Sequence, residues 1–310
     1  MDVLSALKRR IKQIARPPKY RILEKPEAQI ERIVRRDMAP EPVRSIRLIL
    51  HATDSVVADV NDSWIFKFPR REYCAAQLEK EARVLAYFGK RVSLAMPRMT
   101  IHPKGYFRSR HAKIPGEILT TEGYDSLTPD QREALAESLV LFFAQMHATP
   151  LADAAALDLE RRMPWKPARE IVADVEELLP AHIHPYIRRT MERFDAANAE
   201  IVDEVVGHFD VHGENMAFDA GAGRLNGLFD FADAGIADYH KEIQATCWIS
   251  PDLAERIIPR YEALTGRTVD RARVALFQET GRIVNVAFSK GIRPEVAADF
   301  VRRYEADHLS

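Results

Sequence analysis

A chain of 310 residues, 46% hydrophobic and 29% charged, has room for two ordinary domains or one large one, and its composition excludes disordered, collagen-like and coiled-coil architectures. The formal net charge of -1 hides a split, since residues 1–115 carry 25 Lys and Arg against 12 Asp and Glu, whereas residues 116–310 carry 20 against 34. A neutral total therefore does not exclude charged partners. Cys74 and Cys247 are the two cysteines and form no CxxC pair, which argues against a disulfide scaffold and for a reducing compartment. The longest apolar run, Leu139 to Ala144, falls far short of the roughly 20 residues of a membrane span. The start of the chain lacks the continuous apolar stretch of a secretory signal. The expectation is a cytoplasmic protein without a transmembrane segment.

Residues 1–18 read as a basic amphipathic helix, with Leu4, Leu7, Ile11 and Ile14 on one stripe and Pro17-Pro18 as its end. The plain reading is a helix packed on its own domain or on a dimer mate. The alternatives are an anionic membrane surface or an acidic partner. A second helix is predicted from Pro26 to Arg36. Ser45–Leu50, Ser55–Val60 and Ser63–Phe68 then read as an antiparallel meander with an Asn61-Asp62 turn. Glu72–Phe88 has helical spacing, and Met96–His102 and Tyr106–Ile114 are two more strand segments. Beyond Ile114-Pro115-Gly116 helices dominate. Thr128-Pro129-Asp130-Gln131 is a capped start for a helix running to His147. Further helices are predicted at Asp174–Leu179, Tyr186–Glu200 and Leu253–Leu264. Among them lies a strand–loop–strand unit from Glu204 to Phe231, turning at Asp219–Gly223. The predicted organisation is a basic helical extension over 1–44, a small antiparallel α+β domain over 45–114 and a larger, mostly helical domain over 115–310.

The stretch most informative about chemistry is His208-Phe209-Asp210-Val211-His212-Gly213-Glu214-Asn215, followed some fifteen residues later by the apolar strand that ends in Asp230. Metal-assisted phosphoryl transfer needs such a set: one carboxylate to orient the attacking hydroxyl and take its proton, and a second carboxylate with an amide oxygen to hold Mg2+ on nucleotide phosphates. Mg2+ prefers hard oxygen donors and keeps several waters, so one Asp and one Asn suffice. Singly, each of these residues has an ordinary explanation, because Asp and Asn are common loop residues. Specificity lies in the ordered set.

That set resembles the aminoglycoside phosphotransferase-like kinases, a branch of the protein-kinase-like fold. The family pattern runs H-G-D-L-H-P-G-N and then I-D-W/F, against H-F-D-V-H-G-E-N and F-D-F here. The resemblance covers roughly residues 45–245. It implies an α+β, bilobal protein-kinase-like fold, with a small antiparallel-sheet N-lobe and a larger, mostly helical C-lobe. It implies Asp210 as catalytic base, Asn215 and Asp230 as metal ligands, and His208 as support for the loop. On the N-terminal side it implies Lys67 as the phosphate-binding lysine and Glu81 as its helix partner. Backbone groups of Ala112 and Ile114 would read the purine edge, with His111 behind it. Three departures stand out. Phe209 replaces the usual glycine, the expectation for its ring being a place in the core. The loop His51–Ser55 has no glycine, which leaves the Thr53 and Ser55 hydroxyls as donors to phosphate. Glu242 stands where the family usually has Asp, with an implied role in bracing the loop.

The implied activity is transfer of the γ-phosphoryl group of ATP, with GTP as the alternative, to a hydroxyl of a small molecule. An aminoglycoside or another cationic alcohol fits the acidic C-terminal part, whose candidate steering acids are Asp174, Glu176, Glu177, Asp233, Asp238, Glu262 and Glu279. The plain reading of those acids is a solvated helical face. Choline-, homoserine- and fructosamine-type kinases share the same catalytic set, and a non-catalytic binding module on the same fold is the competing class. An intact Lys67, Glu81, Asp210, Asn215 and Asp230 weigh against the latter. Nucleic acid is not an expected partner.

Overall fold

The structure is a computed structural model that describes residues 20–23, 26–50, 54–162, 166–200 and 203–308. The basic helix expected over residues 1–18 lies outside the described residues. The chain forms two compact units, one of residues 1–87 and 97–114, the other of residues 88–96 and 115–310.

The first unit is built on a five-stranded antiparallel sheet, in the order β1 (Ile46–Ile49), β2 (Ser55–Val60), β3 (Trp64–Pro69), β5 (Arg108–Ala112) and β4 (Thr100–His102). The expected meander is present, in register Val56 to Phe68 and Val60 to Trp64. Period-two alternation sorts its side chains. Val56, Ala58 and Val60 of β2 and Phe66 and Phe68 of β3 turn to one face and form a core with Ile30, Ile33, Val34 and Met38 of helix α1 (Pro26–Met38). Arg108 of β5 ion-pairs with Asp37 at the end of α1, both side chains being nearly inaccessible. Arg110 donates to the Asp37 carbonyl (3.0 Å). Residues 26–38 are therefore part of this unit's core, although the sequence reading placed them in an extension. Lys67 is out of phase with Phe66 and Phe68, so it points to the opposite face, where helix α2 (Glu72–Phe88) supplies Glu81.

In the second unit the long helix α4 (Pro129–His147), which follows the short α3 (Thr121–Asp125), is central. Its Thr128–Gln131 capping box satisfies the first orphan amides, and Pro129 sits at the first helical position. Leu135, Leu139, Phe142, Phe143 and Met146 are buried along it at the predicted spacing. After α5 (Leu151–Ala156), a bundle of α6 (Ala168–Glu176), α7 (His184–Ala199), α10 (Arg271–Phe288) and α11 (Pro294–His308) shares a core that includes Ile171, Val175, Ile187, Met191, Phe277 and Ile283. Two small antiparallel ribbons, β6 (Glu204–Gly207) with β9 (Gly235–Asp238) and β7 (Met216–Asp219) with β8 (Arg224–Leu228), stand between α7 and α8 (Tyr239–Thr246), which precedes α9 (Pro251–Thr265). Residues 88–96 belong here rather than with the sheet, because Leu228 donates to the Ala95 carbonyl (3.1 Å) and Ser93 to Gln145 (2.9 Å). Among the described residues no helix is long and apolar enough to cross a membrane.

Candidate active site

Strand β6 ends at Gly207 and delivers His208, which is fully buried. The His208 ring bridges two backbone segments: Asp210 N–H donates to Nδ1 (3.2 Å), so the ring proton sits on Nε2 and faces the Phe229 carbonyl (3.1 Å). Phe229 N–H donates in turn to the Asn215 carbonyl (3.0 Å). Phe229 is thus clamped from both sides by the 208–215 loop, and Asp230 is the next residue. Phe231 packs edge-to-face on His208 (4.4 Å between centroids) and on Phe142 of α4 (6.2 Å). The segment after β8 that carries Asp230 and the loop that carries Asp210 and Asn215 therefore share one aromatic anchor.

Phe209 and Asp230 both have left-handed backbones, with φ of 59° and 62°. The Phe209 conformation is the one a glycine would adopt most cheaply, and the penalty for a bulky residue there is about 1–2 kcal/mol. Its ring is buried, as the sequence led one to expect, and its N–H donates to Glu242 Oε1 (3.0 Å). Glu242 on α8 is itself wholly buried. Its other oxygen lies 3.7 Å from His147 Nε2, and His147 Nδ1 hydrogen-bonds the Tyr261 hydroxyl (2.8 Å). Glu242 thus braces the loop from within the core.

Asn215 Nδ2 donates to the Asp210 carbonyl (2.9 Å) and to its Oδ2 (2.7 Å). One carboxylate oxygen of Asp210 is held, and the side chain stays partly exposed. With its nitrogen committed to Asp210, Asn215 has its amide oxygen left to face a cation. Burial disfavours a charged His212, but the neighbouring Asp210 carboxylate, with Glu214 and Asp230 adding to the field, outweighs it and moves the imidazole above its ordinary value. The loop is a centre of negative potential with hard oxygen donors, and this suits Mg2+. Gly213 is required by close approach, because a Cβ there would stand 1.7 Å from the Leu119 carbonyl oxygen. Leu119 N–H donates to the Gly213 carbonyl (3.0 Å), so the segment after the predicted boundary is laid directly on the loop.

That segment and the loop border a cleft of about 590 Å³ within the second unit. Asp210, His212 and Glu214 line it from the loop, Glu122 from α3, and Trp248 and Phe288 from the far wall. In the first unit, Lys67 Nζ lies 3.1 Å from both oxygens of Glu81, whose side chain is inaccessible. Ser55 is buried at the head of β2, and Thr53 lies outside the described residues. Asp54, an unhelpful anion in a phosphate loop, is turned to the Tyr73 hydroxyl (3.2 Å). Ala112 ends β5 opposite Trp64, and its carbonyl accepts from His111 Nδ1 (2.9 Å). Ile114 follows at the end of the unit, half-buried.

Residues 45–277, three quarters of the chain, match the model of the phosphotransferase enzyme family. The chain belongs to that family. An aminoglycoside 3'-phosphotransferase of Streptomyces fradiae is 26% identical over 160 residues, a match that spans 48% of this chain and 59% of the relative's length. Among solved structures, an aminoglycoside 2'-phosphotransferase-IIIa variant in complex with GDP aligns with a TM-score of 0.75 at 17% identity, over 92% of this chain and 99% of that one. A type I macrolide 2'-phosphotransferase aligns at 0.65 with 20% identity, over 89% and 96%. These likenesses confirm the kinase-like α+β fold, with an antiparallel-sheet first unit and a larger helical second one.

Within this family fold, the structure gathers Asp210 and Asn215 in one loop, ties the segment of Asp230 to that loop, and pairs Lys67 with Glu81. It does not bring the candidate steering acids to the cleft. Asp174 and Glu177 are paired with Lys290, Glu176 with Arg188, Asp233 with Arg162, Asp238 with Arg273, and Glu279 with Arg282. Glu262 accepts from Val269 N–H (2.8 Å). The cleft acids are instead Asp210, Glu122 and Glu214. Trp248 and Phe288 were not singled out in the sequence. Nothing in their spacing marks them, because they come from the end of α8 and the end of α10.

Proposed function

We propose that this chain transfers the γ-phosphoryl group of ATP or GTP to a hydroxyl of a small molecule held in the cleft of the second unit. The observation that carries this is the Asp210 carboxylate, fixed through one oxygen by Asn215 while it lines that cleft. Asp210 accepts the hydroxyl proton as the nucleophile attacks and orients the remaining lone pair at phosphorus. Lys67, held by Glu81, meets the phosphates of the nucleotide as a fixed cation. The Ser55 and Thr53 segment and the backbone of Ala112 and Ile114 complete the nucleotide site by resemblance. Asn215 and Asp230 would hold Mg2+, which when bound neutralises charge on the phosphates. The nucleotide reading draws on GDP in one related structure and ADP in another. The acceptor reading draws on relatives named for aminoglycosides and macrolides, so an antibiotic hydroxyl is the proposed acceptor class.

The test is mass-spectrometric detection of a phosphorylated product from ATP or GTP with a panel of aminoglycosides and macrolides. Asp210→Asn should lower turnover by roughly 10²–10⁴-fold, the usual contribution of a positioned base, with nucleotide binding retained. Wild-type turnover in that variant would remove Asp210 from the role of base.

A further inference from the structure

The cleft is acidic only at one end. Ile118, Trp248 and Phe288 line it while 52%, 41% and 46% exposed, so three large apolar side chains face its space. Soluble chains seldom gather such surface without use for it. Trp248 is seated by a specific device. Its ring lies over Gly281 of α10, where an added Cβ would come within 3.3 Å of Cζ2. Glycine inside a helix is unfavourable relative to alanine, and at Gly281 the absent methyl group leaves room for the indole. The charged lining is acidic apart from the His212 imidazole, which stands beside Asp210 (3.4 Å). Glu122 and Glu214 are exposed carboxylates that line the cleft with Asp210, and among the described residues no Lys or Arg lines it. Anionic acceptors are thus disfavoured. An exposed carboxylate contributes little to an ion pair, so two of them cannot hold a polycation by themselves. Apolar contact with the indole and phenyl rings is the larger available source of affinity.

We infer that the acceptor of this cleft is an amphiphile: a hydroxyl compound with a bulky apolar body, which lies on Trp248, Phe288 and Ile118, and a single ammonium group that meets Glu122 or Glu214. This rests on the reading of Asp210 as the base, which places the reactive hydroxyl at the acidic end. Small polar metabolites and densely charged amino sugars leave the apolar wall wet.

Binding and transfer are measured separately. Calorimetric titration of the full chain without nucleotide uses erythromycin, an apolar macrocycle with one amine, and kanamycin, a polycation. Erythromycin should bind more tightly than kanamycin. Trp248→Ala should weaken erythromycin roughly tenfold or more, as loss of a central aromatic contact does, and leave kanamycin unchanged. Trp248→Phe should recover most of the affinity. Gly281→Ala, which favours its helix and so folds, should weaken erythromycin about threefold by displacing the indole. Erythromycin binding with Trp248 dependence, but without phosphorylated product from ATP or GTP, would overturn the phosphotransfer reading and leave the amphiphile reading standing. Tighter binding of kanamycin, no binding of erythromycin, or indifference to both Trp248→Ala and Gly281→Ala would overturn the inference.

Discussion

Removing the Glu242 carboxylate should loosen the 208–215 loop before it disturbs anything else. Glu242 Oε1 accepts the Phe209 N–H at 3.0 Å in a site that water does not reach. A hydrogen bond to a charged acceptor is worth about 1.5–3 kcal/mol. That bond also holds Phe209 in a left-handed backbone that would otherwise relax, at a penalty of about 1–2 kcal/mol. In Glu242→Ala the loop gives up the bond and recovers part of the strain, and His147 loses its buried neighbour. A net loss of about 1–2 kcal/mol should lower the Tm of a unit of this size by roughly 2–8 °C. Glu242→Gln keeps an acceptor for Phe209 and should cost about 1 kcal/mol. The assay is thermal unfolding followed by near-UV circular dichroism, with hydrogen exchange read at the Phe209 amide. Exchange there should accelerate strongly in Glu242→Ala and little in Glu242→Gln. Turnover should fall by an order of magnitude or more with KM little changed, because a misplaced base loses its orientation advantage. Phe209→Gly supplies the cross-check. Glycine adopts the left-handed conformation freely and leaves no strain to recover, so Glu242→Ala should cost about 1 kcal/mol more in that background, a coupling measurable by a double-mutant cycle. A Glu242→Ala protein with the wild-type Tm and a protected Phe209 amide would refute the bracing role.

Lys67→Ala removes the lysine that ion-pairs with the buried Glu81, so it should lower stability in urea unfolding as well as nucleotide affinity; a variant with the wild-type urea midpoint would refute a stabilising role for the pair. Burial works against a charged Asp238, but His240 and Arg273 outweigh it and hold the carboxyl below its ordinary value. Its folded pKa is depressed, so the stability it supplies is present above pH 3.8 and is lost as pH falls below that; Asp238→Asn should flatten the acid limb of the urea midpoint measured from pH 6 to pH 3. Burial pushes the Cys247 thiol up to about 11, so iodoacetamide at pH 8 should leave it unmodified in the folded chain and label it after denaturation, as read by mass spectrometry.

How much was legible in the sequence differs between the two units for a physical reason. The meander was readable because alternation is strict: Val56, Ala58 and Val60 face one way, and Lys67 is out of phase with Phe66 and Phe68. Helix α4 was readable from its capping box and from one apolar stripe. Helix α1 was readable as a helix but not as part of the sheet's core, since its partners are strands 20 or more residues away. Helices α8, α10 and α11 were missed. Tyr239–Thr246 is short, and Arg271–Phe288 buries Arg273 and Gln278 beside its apolar residues, which blurs the periodicity. Residues 88–96 belong to the second unit through the Leu228 N–H to Ala95 carbonyl bond and through Ser93 N–H to the Gln145 side chain, a backbone contact and a single amide that leave no periodic pattern.

The site divides along a similar line. The groupings that need particular atoms were readable as groupings, because only certain side chains supply them: Asp210 with Asn215 in one loop, and Lys67 with Glu81 across strand and helix. Where several side chains can do the same work, the sequence was mute. Any exposed acid could have been a steering group, and most of those named turn out to be held by Lys or Arg neighbours, such as Asp174 by Lys166 and Lys290. Any large apolar residue could have lined the cleft, and the exposed ones that do are Ile118, Trp248 and Phe288. The excess of acid over base in residues 116–310 therefore says little about the acceptor. An ion-paired carboxylate adds almost nothing to the field a ligand meets a Debye length away. What the ligand meets is the lining itself, which combines three carboxylates with an indole seated on Gly281. On the proposed function, the side-chain contacts within the cleft, rather than the net charge of the half that contains it, would decide which hydroxyl is brought to Asp210.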